Sequence, residues 1–173
     1  MSREENVLWK GLIVAQKTVM TITGISVMCI ITASMFLRWL FNTDFKGYEE
    51  IMVMFAFWLY MTGASYGSYK KNQITANILD IYLPEGRVKA VIHLFRALLT
   101  LVLSAVFTYW ALEFVMWSTE MNTRTPVWRL PMVWGHLSLL VGLTLVTFYN
   151  AVYCYDELRS FIPRFKNKDQ ILN

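Results

Sequence analysis

The side chains best suited to chemistry here are the histidines His93 and His136, the cysteines Cys29 and Cys154, and the adjacent carboxylates Glu49 and Glu50. Two histidines on apolar helices raise the question of haem ligation. His93 begins one apolar run and His136 begins the next from the opposite side, so at 1.5 Å per helical residue they stand roughly 20–30 Å apart along the helices. They cannot share one iron, and each reads as a hydrogen-bonding residue at a membrane boundary. Cys29 lies mid-run and Cys154 near the end of the last run, which suits two buried thiols acting as small apolar residues and offers no disulfide framework. A small carrier would need an ionisable group deep in a span and broken helices around a midplane site. No Asp, Glu, Lys or Arg lies deep in any apolar run, and no broken or repeated helix pattern is visible. A glycine-rich phosphate loop, a metal-ligand cluster and a Ser/His/Asp set are missing as well. The residues themselves therefore argue for a non-catalytic protein that acts by holding a partner.

The elements that position these residues follow from charge segregation. Only 16% of the 173 residues are charged, against about a quarter in a soluble domain, and mean hydropathy is +0.41. Four stretches contain no charged residue: 18–37, 51–69, 97–112 and 130–155. A helix crosses a bilayer core with roughly 20 apolar residues. Three stretches suffice as they stand. The third in order is short, and it lengthens if Arg96 snorkels at one end and Glu113 reaches water at the other. The expected fold is an all-α integral membrane protein, a single domain over 1–173 with four transmembrane helices near 18–38, 51–69, 93–117 and 132–155. Pro84, Pro126, Pro131 and Pro163 lie outside or at the margins of the uncharged stretches, as unbroken spans require.

Lys and Arg set the orientation. Arg3, Lys10 and Lys17 precede the first span; Lys70, Lys71, Arg87 and Lys89 lie between the second and third; Arg159, Arg164, Lys166 and Lys168 follow the fourth. The other two loops hold Arg38, Lys46, Arg124 and Arg129. Both termini and the middle loop are therefore expected in the cytoplasm, with the loops near 39–50 and 113–130 facing outward. The net charge of +4 is accounted for by this pattern and does not indicate nucleic acid. The first span reads as a retained signal anchor. Residues 1–17 read as an amphipathic lead-in or a frayed tail, and 70–88 as a short interfacial helix between the second and third spans, ended by Pro84. Aromatic belts are expected at both boundaries, Trp117, Trp128 and Trp134 outside and Tyr149, Tyr153 and Tyr155 inside.

Small residues mark packing faces. Gly63 and Gly67 are four apart in the second span and let backbones approach. The stripe Trp58, Thr62, Ser65 and Tyr69 suits core packing. Ala97, Ser104, Thr108 and Ala111 share one face of the third span, and Gly135, Ser138 and Gly142 one face of the fourth. Glu49 and Glu50 open the second helix, where the helix dipole favours them, within reach of Arg38 for an ion pair.

The order of residues 38 to 84 resembles the small, DctQ-like membrane subunit of tripartite ATP-independent periplasmic (TRAP) transporters. Arg38 followed by Phe41 closes the first span, Tyr48-Glu49-Glu50 opens the second, Gly63 and Gly67 follow, and an isoleucine-rich segment ends at Pro84. The later TPVWRLPM at 125–132 is similar to the proline-containing start of the family's last helix. The family often carries Trp where Tyr48 stands, and a His-Ile pair where Gln73 and Ile74 stand.

The resemblance implies an accessory subunit, not an enzyme, in the bacterial inner membrane. A periplasmic binding protein captures an organic acid, and a large membrane subunit carries it inward on a sodium gradient. The small subunit braces the large one and needs no cofactor or metal of its own. Arg38, Glu49, Glu50, Gly63, Gly67, Ser104, Gly135 and Gly142 become structural or large-subunit contact residues. Asp44, Lys46, Arg124 and Arg129 become docking residues for the binding protein. The alternatives are a membrane anchor for a redox or other enzyme complex and an independent small carrier.

Overall fold

The computed structural model describes residues 7–41, 46–70 and 87–169. Over these the chain forms four helices: α1 (Val7–Phe41), α2 (Tyr48–Tyr69), α3 (Arg87–Glu120) and α4 (Val133–Asp169). Three of them contain segments long and apolar enough to cross a membrane: Trp9–Leu40, Val91–Glu120 and Val133–Arg159. The shorter α2, about 33 Å at 1.5 Å per residue, ends in small and polar residues, TGASYGSY. Its position accounts for that composition.

α1 packs on α2, α2 on α4, and α4 on α3, while α1 and α3 share no comparable contact. The helices thus stand in a row, α1–α2–α4–α3, with α2 and α4 inside. An inner helix meets other helices on two sides and can carry hydroxyls: the Ser65 hydroxyl donates to the Thr62 carbonyl of its own helix and accepts from Gln16 of α1. Thr62, Ser65 and Ser68 are the buried residues of α2. The edge helices instead present wide apolar faces, including Met28, Met35, Phe36 and Trp39 on α1 and Phe95, Phe107 and Trp110 on α3.

The buried residues are mostly small or polar. Among the described residues Ala111, Val115, Tyr149 and Cys154 are the buried apolar ones, alongside a larger set of Ser, Thr, Gln and Asn. Among the described residues no buried side-chain nitrogen or oxygen lacks a hydrogen-bond partner. Lipid tails are as apolar as leucine, so helices associate there through close packing and hydrogen bonds, not through hydrophobic burial. The expected α3 seam has this character. Ser104 and Ala111 are buried, and Thr108 shares a 2.8 Å hydrogen bond with Thr147 of α4.

Several expected boundaries move. Residues 7–17 are continuous with the first long helix, and Gln16 within them is buried; they are no separate surface lead-in. α3 stays helical to Glu120, so the connection expected over 113–130 shrinks to 121–132. Cys154 is buried as expected, but Cys29 is exposed on α1. Of the interfacial helix expected over 70–88, residues 71–86 lie outside the described residues, as does the docking residue Asp44, while 87 and 88 open α3.

Candidate functional site

The row is locked at its two ends by different chemistry. At one end, the 121–132 connection folds back over the start of α2. Arg124 and Pro131 form an isolated antiparallel bridge. The Thr125 amide donates to the Leu130 carbonyl at 2.9 Å, and the Leu130 amide donates to the Thr125 hydroxyl at 2.9 Å. Asn122 and Arg129 take left-handed φ values of 47° and 53° to close the turns.

Glu50 holds this loop. Its carboxylate accepts the Val127 amide at 2.7 Å and the Trp128 amide at 2.9 Å, one on each oxygen. Partial burial pushes the carboxyl pKa up, but the neighbouring Thr125 hydroxyl and the Trp128 and Val127 amides outweigh it and hold the group below its ordinary value. The arrangement is a charge-assisted clamp on backbone donors. It corrects the ion pair expected between Arg38 and the two glutamates: loop amides take Glu50, while Glu49 stays exposed. Opposite-charge counting on the sequence missed this because the donors are backbone amides 77 and 78 residues away.

Trp128 completes the lock. Its indole donates to the Lys46 carbonyl at 3.2 Å and lies over Gly47. Gly47 has φ 88°, and a Cβ there would fall inside the indole. The position needs glycine both for the left-handed backbone and for the ring above it. Behind the clamp, a cleft of about 210 Å³ is lined by Val53, Met54, Phe57, Pro126, Met132 and Gly135 together with the polar residues Glu49, Glu50, Thr125 and His136. His136 Nδ1 is hydrogen-bonded to the Ser118 hydroxyl at 2.8 Å, so it ties α4 to α3.

At the opposite end, three helices meet on Gln16. Its amide nitrogen donates to the Ser65 hydroxyl at 3.1 Å, and its amide oxygen accepts the Tyr149 hydroxyl at 3.1 Å. One side chain of α1 therefore bridges α2 and α4. Tyr153 donates to the Tyr69 carbonyl, and Trp9 packs edge-on against both Tyr69 and Tyr149. The sequence placed Tyr149 and Tyr153 only in an aromatic belt, and Tyr69 in the packing stripe of the second span. A glutamine one residue before a lysine, at the edge of an apolar run, was the available signal for Gln16.

The expected contact residues divide by what surrounds them. A Cβ on Gly142 would lie 2.7 Å from the Met61 Cβ and 3.0 Å from the Met61 carbonyl oxygen, so α2 and α4 touch backbone to backbone there. Gly135 faces Phe57, and Ser104 is buried and donates to the Leu101 carbonyl. These three, with Glu50, act within the chain. Gly63 has only the Met20 sulfur at 4.0 Å, and Gly67 has nothing within 4 Å. Arg38 is exposed in the last turn of α1. Lys46, Arg124 and Arg129 are exposed around the locked loop, with Arg124 reaching Asn122. Among the described residues no group of His, Cys, Asp and Glu could hold a metal.

A family model described as tripartite ATP-independent periplasmic transporters, DctQ component, matches residues 27–160. No curated protein matches the chain.

Proposed function

The chain belongs to the DctQ component family of tripartite ATP-independent periplasmic transporters, and from that premise we propose that it braces the large membrane subunit of such a transporter. Membership in a transporter family argues against the enzyme-anchor alternative. In this reading all four helices span the bacterial inner membrane, with both termini inside. The partner subunit moves an organic acid on a sodium gradient, and this chain contributes fixed surface.

The observation that carries the reading is the row itself. Its buried side chains are mostly small or polar, with hydrogen bonds joining α1, α2, α4 and α3 in turn, and large apolar side chains stand exposed on α1 and α3. A protein that buries so little apolar surface of its own is suited to extending a larger membrane body. Gly63 and Gly67, open on α2, offer a place where a partner helix can come close. The loop locked by Glu50 and Trp128 presents Arg124 and Arg129, and with Lys46 it supplies a docking face for a periplasmic binding protein.

The test is reconstitution. The subunit together with its large partner and binding protein should support sodium-dependent uptake of an organic acid. The isolated subunit in liposomes should support none. Uptake by the isolated chain would overturn the bracing role.

A further inference from the structure

At the end of the row opposite the locked loop, two lysines from different helices converge on one ring. The Lys17 ammonium of α1 lies 5.7 Å from the centroid of Tyr66, and the Lys70 ammonium of α2 lies 5.5 Å from the same centroid. Both lysines are exposed. Among the described residues, neither ammonium is paired with a carboxylate. Two like charges held at one ring repel each other, and an anion between or beside them relieves that repulsion.

Depth identifies the anion. Arg38 and Lys17 are twenty-one residues apart on α1, and Glu49 and Lys70 are twenty-one apart on α2. At 1.5 Å per residue both intervals are about 31 Å, close to the ~30 Å hydrocarbon core. If Arg38 and Glu49 lie near one boundary, Lys70 falls at the other, at the level of the headgroups, and Lys17, next to the Gln16 that bonds Ser65, begins about one turn deeper and reaches that level by snorkelling. Tyr66 sits one turn deeper, as an interfacial tyrosine does.

We propose that Lys17, Tyr66 and Lys70 form a binding site for the phosphate of an anionic phospholipid. The Tyr66 ring orients the two ammoniums by cation–π attraction, and the phosphate takes both charges, tying α1 to α2 through the lipid. The site rests on the membrane placement given above, in which this end faces the cytoplasm.

The test uses the full chain in phosphatidylcholine nanodiscs containing a minor fraction of phosphatidylglycerol, with retained lipid read by native mass spectrometry. The wild type should retain phosphatidylglycerol above its bulk fraction. Lys17→Gln or Lys70→Gln should each reduce the enrichment roughly fivefold, the worth of one lysine near a charged surface. Tyr66→Leu should also reduce it, while Tyr66→Phe and Lys10→Gln should not. A diffuse electrostatic attraction would respond to Lys10→Gln as strongly as to Lys17→Gln and ignore Tyr66→Leu; that pattern overturns the site. Inorganic phosphate added to lipid-free detergent samples should not raise the thermal midpoint; if it does so as well as phosphatidylglycerol, the ligand is free phosphate and the lipid assignment fails. Nanodiscs offer the lipid in both leaflets, so the result does not depend on orientation. An error in orientation would appear separately, in thiol labelling of cysteines placed at Lys17 and Arg124 in oriented vesicles.

Discussion

Gly142→Ala is the sharpest test of how the row is built. The added Cβ would stand 2.7 Å from the Met61 Cβ, about 0.7 Å inside the 3.4 Å at which ordinary contact begins, and 3.0 Å from the Met61 carbonyl oxygen. No side-chain rotation relieves this, because the obstruction is the α2 backbone. α2 is held on its other side by α1 and anchored at its start by the Glu50 clamp, so the helices must separate. Overpacking of this kind costs about 1–3 kcal/mol. Alanine also favours helix over glycine by up to about 1 kcal/mol, which would mask part of the loss. Gly63→Ala supplies the control: it carries the same propensity gain in a helix interior, and its Cβ would meet only the Met20 sulfur at 4.0 Å. The difference between the two variants isolates the clash. In detergent, the Gly142→Ala midpoint should fall below that of Gly63→Ala by about 2–12 °C, taking 2–4 °C per kcal/mol for a chain of this size. Equal midpoints would show that α2 and α4 do not touch at Met61, and the serial order of helices would lose its tightest contact.

Glu50→Gln should loosen the 121–132 loop, seen as faster hydrogen exchange at the Val127 and Trp128 amides, with the helices unchanged; unaltered exchange would remove the clamp. Because the Glu50 pKa is lowered in the folded chain, its contribution is complete above the ordinary carboxyl value of 4.5. It is lost only as pH falls through the lower folded value, so wild-type loop exchange should accelerate in that acid window and Glu50→Gln should lack the step. Tyr149→Phe removes the hydroxyl that Gln16 accepts and should cost about 0.6 kcal/mol, up to ~1.7, read as a lower thermal midpoint; an unchanged midpoint would remove this bond from the three-helix lock. Gly63→Leu should leave the isolated subunit's midpoint near wild type, yet reduce co-purification with the large subunit. Full recovery of the complex would remove Gly63 from that interface.

What could be read from the amino acids alone was whatever repeats locally. Charge-free stretches of helical length revealed the helices, because each must satisfy its backbone internally wherever it lies. Small residues at 104, 108 and 111 revealed a seam, because helix periodicity puts them on one face. The ordered motifs from Arg38 through Pro84 pointed to the family that the match over 27–160 established. Partnerships between distant positions were invisible. Gly63-x-x-x-Gly67 and Gly142 are equally plausible contact sites in sequence; only the row order puts Gly142 against Met61 and leaves Gly67 open. Glu50 was expected to seek a cation, but the fold brings two loop amides to it, and backbone donors carry no sequence label. Gln16 resembled the edge of a polar tail until α2 and α4 supplied Ser65 and Tyr149. Composition and periodicity decide where a helix forms and which stripe is small. Which stripe meets which neighbour depends on the mutual arrangement of segments far apart in the chain, and that exists only once they have packed.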